Sequence, residues 1–209
     1  MNSEKCYAQN EAIISKENES RWSDFQKDLL DCKYGYEIWN KVFSTNIIKN
    51  NNIKFPQGIS YGEDIAFIIL YFQYSNNVLL INDNIYYYVL REDSMMGKSK
   101  KTSHLLDMFN NAKYVVSESK VQNNKEYLIF AKFIQEGMIQ SWNINLYENI
   151  SCISDNKFLH RMTVKCLRHP ISMLERYGKS AIKILVFCKM IQCAECRSYK
   201  WFSFLKKIC

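Results

Sequence analysis

Proline and glycine are scarce, at two and six in 209 residues. So little of either leaves no stretch that reads as a flexible linker or a low-complexity segment. No apolar run reaches the roughly 20 residues a membrane-spanning helix needs. The best candidate, Ala181 to Ile191, is interrupted by Lys183 and Lys189. The N-terminus, Met1-Asn2-Ser3-Glu4-Lys5, has no apolar signal core. A Gly-rich phosphate loop and a nucleophile elbow are both missing. Acidic residues nearly vanish at the end: from Lys157 to Cys209 there are twelve Lys/Arg against two Glu. The preceding residues hold 16 basic against 19 acidic side chains, so the net charge of +7 belongs to the C-terminal segment.

What is present suits a packed interior. Hydrophobic residues make up 47% of the chain, enough for one domain, or for one domain with a substantial appendage. Eight cysteines in a chain this apolar do not form a secreted disulfide framework, and they predict a reducing cytosol.

Along the chain, Ser23-Asp24-Phe25-Gln26 has the form of a capping box. Trp22, Phe25, Leu29 and Leu30 then mark one face of a short helix ending near Asp31. Tyr36 to Phe43 reads as a strand. Ser44 or Thr45 is placed to cap a short helix through Ile47 and Ile48, before an Asn50-Asn51-Asn52 turn. A nearly all-apolar run from Glu63 to about Tyr74 predicts a helix buried on most sides. Val78–Ile81 and Ile85–Leu90 read as two strands joined at Asn82-Asp83-Asn84, and Glu92 to Lys101 as a mobile polar loop. From Ser103 onward the spacing is helical, with a break at His169-Pro170.

Chemistry concentrates at Ser60-Tyr61-Gly62-Glu63-Asp64. Ser60 and Glu63 have capping-box spacing, and Asp64 is a first-turn acid favoured by the helix dipole. The same geometry mounts Asp64 rigidly enough to serve as a general base. Both readings are compatible.

Trp39-Asn40-Lys41, then a Phe-containing apolar segment, Gly62-Glu63-Asp64, and Tyr86-x-Tyr88 with Arg91 and Ser94 follow in order. This succession resembles the second half of a family 2 glycosyltransferase of the GT-A fold, many of which build bacterial surface polysaccharide. The likeness covers roughly Tyr34 to Lys101, with looser similarity in the helical part. It implies an α/β chain in two parts. Residues 1–101 are expected to form a partial GT-A-like mixed sheet with flanking helices, the acceptor-side half of the catalytic domain. Residues 102–209 are expected to form a helical, basic C-terminal region. By the resemblance, Asp64 is the base of an inverting displacement. Glu63, Trp39, Asn40 and Lys41 bind the acceptor, and Arg91 contacts the diphosphate leaving group. Lys98, Lys100 and Lys101 read as a solvated loop, or as further leaving-group contacts.

The family's nucleotide-binding half and its Asp-x-Asp motif have no counterpart in the sequence. About 35 residues precede the Trp-Asn-Lys segment, against roughly 30 for each βαβ unit of such a half. The expectation is therefore a piece of a glycosyltransferase, or a remnant of one. The complete family enzyme uses Mg²⁺ or Mn²⁺, and this chain alone is expected to bind neither. Expected partners are a nucleotide-sugar donor and a saccharide or lipid-linked acceptor. The competing class is a non-enzymatic protein that binds a membrane surface or a partner.

The Cys193-Ala194-Glu195-Cys196 spacing lacks a second metal-ligand pair, so incidental thiols are expected there. His104, His160 and His169 read as surface or cap residues. Residues 179–209 mix Lys/Arg with Ile, Leu, Phe and Trp201. This suits either an in-plane helix on anionic lipid or a helix packed on its own domain, and nucleic acid is not expected as a partner. The expected location is cytoplasmic, or peripheral on the inner face of the membrane.

Overall fold

A computed structural model describes residues 12–30, 33–81, 86, 87, 89, 102–119, 126–141 and 157–195. Those residues are mainly helical, with a two-stranded antiparallel sheet. The chain divides into two compact units, residues 1–55 with 67–98, and residues 56–66 with 99–209.

In the first unit, β1 (Ala12–Ser15) pairs with β2 (Asn77–Leu80), placing Ile14 opposite Val78 and Ala12 opposite Leu80. Successive side chains alternate faces. Ile14 is buried, with Val78 and Leu80 packed against its cluster, while Ile13 and Leu79 are exposed. Helix α1 (Glu19–Leu30) lays Trp22, Phe25 and Leu29 into the interior, as their spacing predicts. Its start is five residues earlier than the Ser23 capping box implied. The Oδ1 of Asn18 accepts the N–H of Arg21 at 3.2 Å, and the Asn18 carbonyl accepts that of Trp22 at 2.9 Å. Asparagine serves a helix N-terminus as well as serine does, so the first such residue ahead of the apolar face begins the helix.

The strand expected over Tyr36–Phe43 is a succession of turns instead. Gly35 takes a positive φ of 68°, and the Lys41 N–H bonds back to the Ile38 carbonyl at 3.2 Å. Helix α2 (Thr45–Asn50) follows with Ser44 as its N-cap, but the serine side chain makes no capping bond. Its backbone N–H goes to the Tyr71 hydroxyl at 2.8 Å. Of the second strand expected after β2, residues Tyr86, Tyr87 and Val89 are described and lie in no strand. The partner of β2 is the N-terminal β1. The expected turn at 82–84 and the loop at 92–101 lie outside the described residues.

Helix α3 (Glu63–Tyr74) matches its predicted bounds, and Ile65 to Tyr71 are all buried. Its residues from Phe67 belong to the first unit, where Phe67 meets Phe55 (4.5 Å, stacked) and Phe43 (5.2 Å, edge-on). Residues 63–66 belong to the second unit.

The second unit is built from α4 (Thr102–Glu118), α5 (Glu126–Ser141), α6 (Lys157–Arg168), α7 (Pro170–Tyr177) and α8 (Lys179–Glu195). Helix α4 packs along α5, and α8 packs on α6 and α7. Phe130, Phe133, Phe187, Met108, Met162 and Met173 are wholly buried, and Phe109 touches both Phe130 and Phe187. Pro170 opens α7 where its missing N–H costs nothing. The apolar face of α8 (Ala181, Ile184, Phe187, Cys188 and Ile191) is buried within the unit. Cys166 and Cys188 are buried and are not joined in disulfides. The bond to Cys166, together with burial, pushes the Cys188 thiol well above its usual range. Among the described residues, no helix is long and apolar enough to cross a membrane.

Candidate functional site

The acid pair sits in the first turn of α3, where backbone N–H groups have no intrahelical partner and the dipole favours negative charge. Both Glu63 and Asp64 are half-buried. The turn that precedes them is fixed by one face of α4. Asn111 donates from Nδ2 to the Tyr61 carbonyl at 2.8 Å, and the Tyr61 ring stacks flat on His104 at 4.2 Å. Asp107 accepts the Ser60 hydroxyl at 3.1 Å and its backbone N–H at 3.4 Å. His104, Asp107, Met108 and Asn111 recur at helical spacing, so a single face of α4 makes all these contacts.

This arrangement corrects the capping box expected from Ser60 and Glu63. Gly62, at φ +80°, immediately precedes the helix, and its carbonyl accepts the Ala66 N–H. Ser60 is two residues too early to cap, and it reaches the Asp107 carboxylate instead. A Cβ on Gly62 would stand 2.8 Å from the Met108 sulfur and 3.0 Å from Asn111 Nδ2. Gly62→Ala is expected to cost about 1–3 kcal/mol, from left-handed backbone strain and displacement of the buried Met108. Urea denaturation of the variant checks this.

From α5, Lys132 and Glu136 form an ion pair of 2.8 Å with side chains only 4% and 17% exposed. Burial raises the Tyr61 phenol above its usual value, and the carboxylates of Glu136 and then Glu63 add to the shift. The folded protein thus holds the phenol proton more tightly than the unfolded chain does. That contribution is complete below the unfolded tyrosine value of about 10 and is lost as pH rises through the folded one. Tyr61→Phe is expected to flatten the alkaline fall in melting temperature above about pH 10, measurable by circular dichroism. Two polar atoms here, Asn111 Oδ1 and His104 Nδ1, are buried without a hydrogen-bond partner.

Trp39, Asn40 and Lys41 are in the first unit. Trp39 stacks on Tyr86 at 4.6 Å. The Lys41 ammonium bonds the carbonyls of Tyr34 (3.1 Å) and Glu37 (2.7 Å) and Asn40 Oδ1 (2.7 Å), clamping its own turn. Arg91, Ser94, Lys98, Lys100, Lys101 and Cys196 lie outside the described residues. His169 is the N-cap of α7 and His160 is exposed, whereas His104 is half-buried against Tyr61.

Among the described residues, no group of three or more His, Cys, Asp or Glu side chains comes together. Asn111, Lys132 and Glu136 were not singled out from the sequence. One signal was available: Lys132 interrupts the apolar run Phe130-Ala131-Phe133-Ile134, with a carboxylate four residues on. The chain matches no protein-family model, no curated protein and no solved structure.

Proposed function

We propose that this chain is the acceptor-side portion of an inverting family 2 glycosyltransferase, a GT-A-type domain half followed by its helical region. The observation that carries the reading is the half-buried acid pair in the first turn of α3, mounted on α4 by Asn111 and beside two unpartnered buried polar atoms. A saccharide acceptor supplies hydroxyl groups that can donate to, or accept from, such atoms.

Asp64 takes the proton of one acceptor hydroxyl. The freed oxygen attacks the anomeric carbon of a nucleotide-diphosphate sugar as the bond to the diphosphate breaks on the opposite face, which inverts the centre. Glu63 binds neighbouring acceptor hydroxyls. The resemblance assigns Trp39, Asn40 and Lys41 to the acceptor and Arg91 to the leaving diphosphate. In the family, Mg²⁺ or Mn²⁺ offsets the charge on that diphosphate, in the half that this sequence does not contain.

The test adds purified chain to membranes and cytosol of its source cell with a labelled nucleotide-diphosphate sugar. A gain in saccharide or lipid-linked product with inverted anomeric configuration is expected. No gain, or a retained configuration, would refute the reading.

A second reading is a non-enzymatic binding protein on a membrane or a partner, with the acid pair serving only α3. It is favoured by the exposure of Ile171, Leu174 and Ile182 on the basic helices of the second unit. In that case the added chain changes no transfer rate.

A further inference from the structure

Helices α7 and α8 bury one face each and leave unusually apolar residues on the other. Met173 is buried, while Ile171 and Leu174, on the opposite side of α7, are 70% and 45% exposed. On α8 the buried face runs through Ala181, Ile184, Cys188 and Ile191, yet Ile182 is 57% exposed. Water is a poor solvent for three such aliphatic side chains, and removing them from it would be favourable.

Their neighbours are cationic. Arg168, Lys179, Lys183 and Lys189 are exposed, and residues 157–195 carry eight Lys/Arg against two Glu. The chain beyond α8 continues in kind, with Arg197, Lys200, Lys206 and Lys207 among Trp201, Phe202 and Phe204. Separate aliphatic residues set among cations suit a surface that is anionic outside and apolar beneath. A protein partner would more often meet one contiguous apolar patch.

We infer that the outward faces of α7 and α8, through Ile171, Leu174 and Ile182 with Lys179, Lys183 and, at the end of α6, Arg168, dock on an anionic lipid bilayer. The apolar face of α8 stays in the core of the unit, so the helix does not roll into the membrane. It lies against the headgroups with its basic side while the three aliphatic side chains enter the acyl boundary. Each cation close to the surface adds attraction that falls away within a Debye length, so the association weakens with salt. This inference stands whether or not the acceptor-site reading holds.

The experiment is flotation of the full chain with phosphatidylglycerol-containing vesicles and with pure phosphatidylcholine vesicles. Binding to the first alone, weakened by salt, is expected. The variant Ile171→Ser/Leu174→Ser/Ile182→Ser, all at exposed positions, should lower apparent affinity about tenfold or more. Hydrogen exchange on the unaltered chain supplies a readout that needs no variant: vesicles should protect amides of residues 168–183. Absence of flotation, equal binding to both vesicles, equal binding by the triple variant, or no protection at 168–183 would overturn the proposal. So would a dimer in solution that the triple variant dissolves, because the face would then be an interface between copies.

Discussion

Asp64→Asn is expected to lower sugar transfer in the complete enzyme by about 10²–10⁴-fold, the usual contribution of a positioned general base. The amide keeps the size and shape of the carboxylate but cannot accept the acceptor's proton. Its cost to the fold should be small. The loss of a first-turn negative charge is worth about 0.3–1 kcal/mol at a helix N-terminus, a shift that thermal denaturation can resolve separately. Glu63→Gln should behave differently, raising KM for the acceptor more than it lowers kcat, because Glu63 is assigned to binding. Identical kinetics for the two variants would contradict the division of roles. Full turnover by Asp64→Asn would remove the base.

Lys132→Ala is expected to destabilise the second unit by about 3 kcal/mol, the low end of the range for breaking a buried pair. Lys132 is almost wholly inaccessible and its partner Glu136 is 17% exposed, so removal of the ammonium leaves a carboxylate with little water to replace it. The remaining charge also faces the Tyr61 phenol, which already feels Glu136. Replacing both partners, as Lys132→Met/Glu136→Leu, should recover most of the loss, since neither charge then has to be desolvated. Urea denaturation of the two variants measures both. A cost below about 1 kcal/mol for Lys132→Ala would place the pair in the class of solvated surface bridges.

Legibility in the sequence followed the range of the interactions involved. Helix α3 was readable to the residue because an acid pair opens an unbroken apolar run, and that signal is local. The helices after Ser103 were readable for the same reason. In α6, Leu159, Met162, Thr163 and Cys166 repeat at helical spacing and are all buried. Strand β1 was not readable, because Ala12-Ile13-Ile14-Ser15 is four residues long and its alternation matters only once β2, more than sixty residues on, lies beside it. The Tyr36–Phe43 segment has strand composition but no neighbouring strand among the described residues, and Lys41 spends its ammonium on closing a turn.

The site was half legible. Tyr61 to Asp64 stood out as a motif, but its capping-box form pointed to the wrong partner for Ser60. Asp107 lies 47 residues away and competes successfully for that hydroxyl. Asn111 and Lys132 come from helices whose approach to the motif only the folded chain provides. Asn111 is a single polar residue on an apolar face and gave no pattern to recognise, and the Lys132–Glu136 spacing marks an ion pair without saying what it faces.

In the proposed function, the first turn of α3 and the α4 face beneath it receive a saccharide. The most direct measurement is an amide chemical-shift titration of the full chain with methyl glucoside, methyl galactoside and N-acetylglucosamine in turn. At least one should shift the amides of residues 61–64 and 104–111 to saturation, and Glu63→Gln should weaken the response. If all three leave those amides unmoved, or move only amides elsewhere in the chain, the acceptor-site account is contradicted.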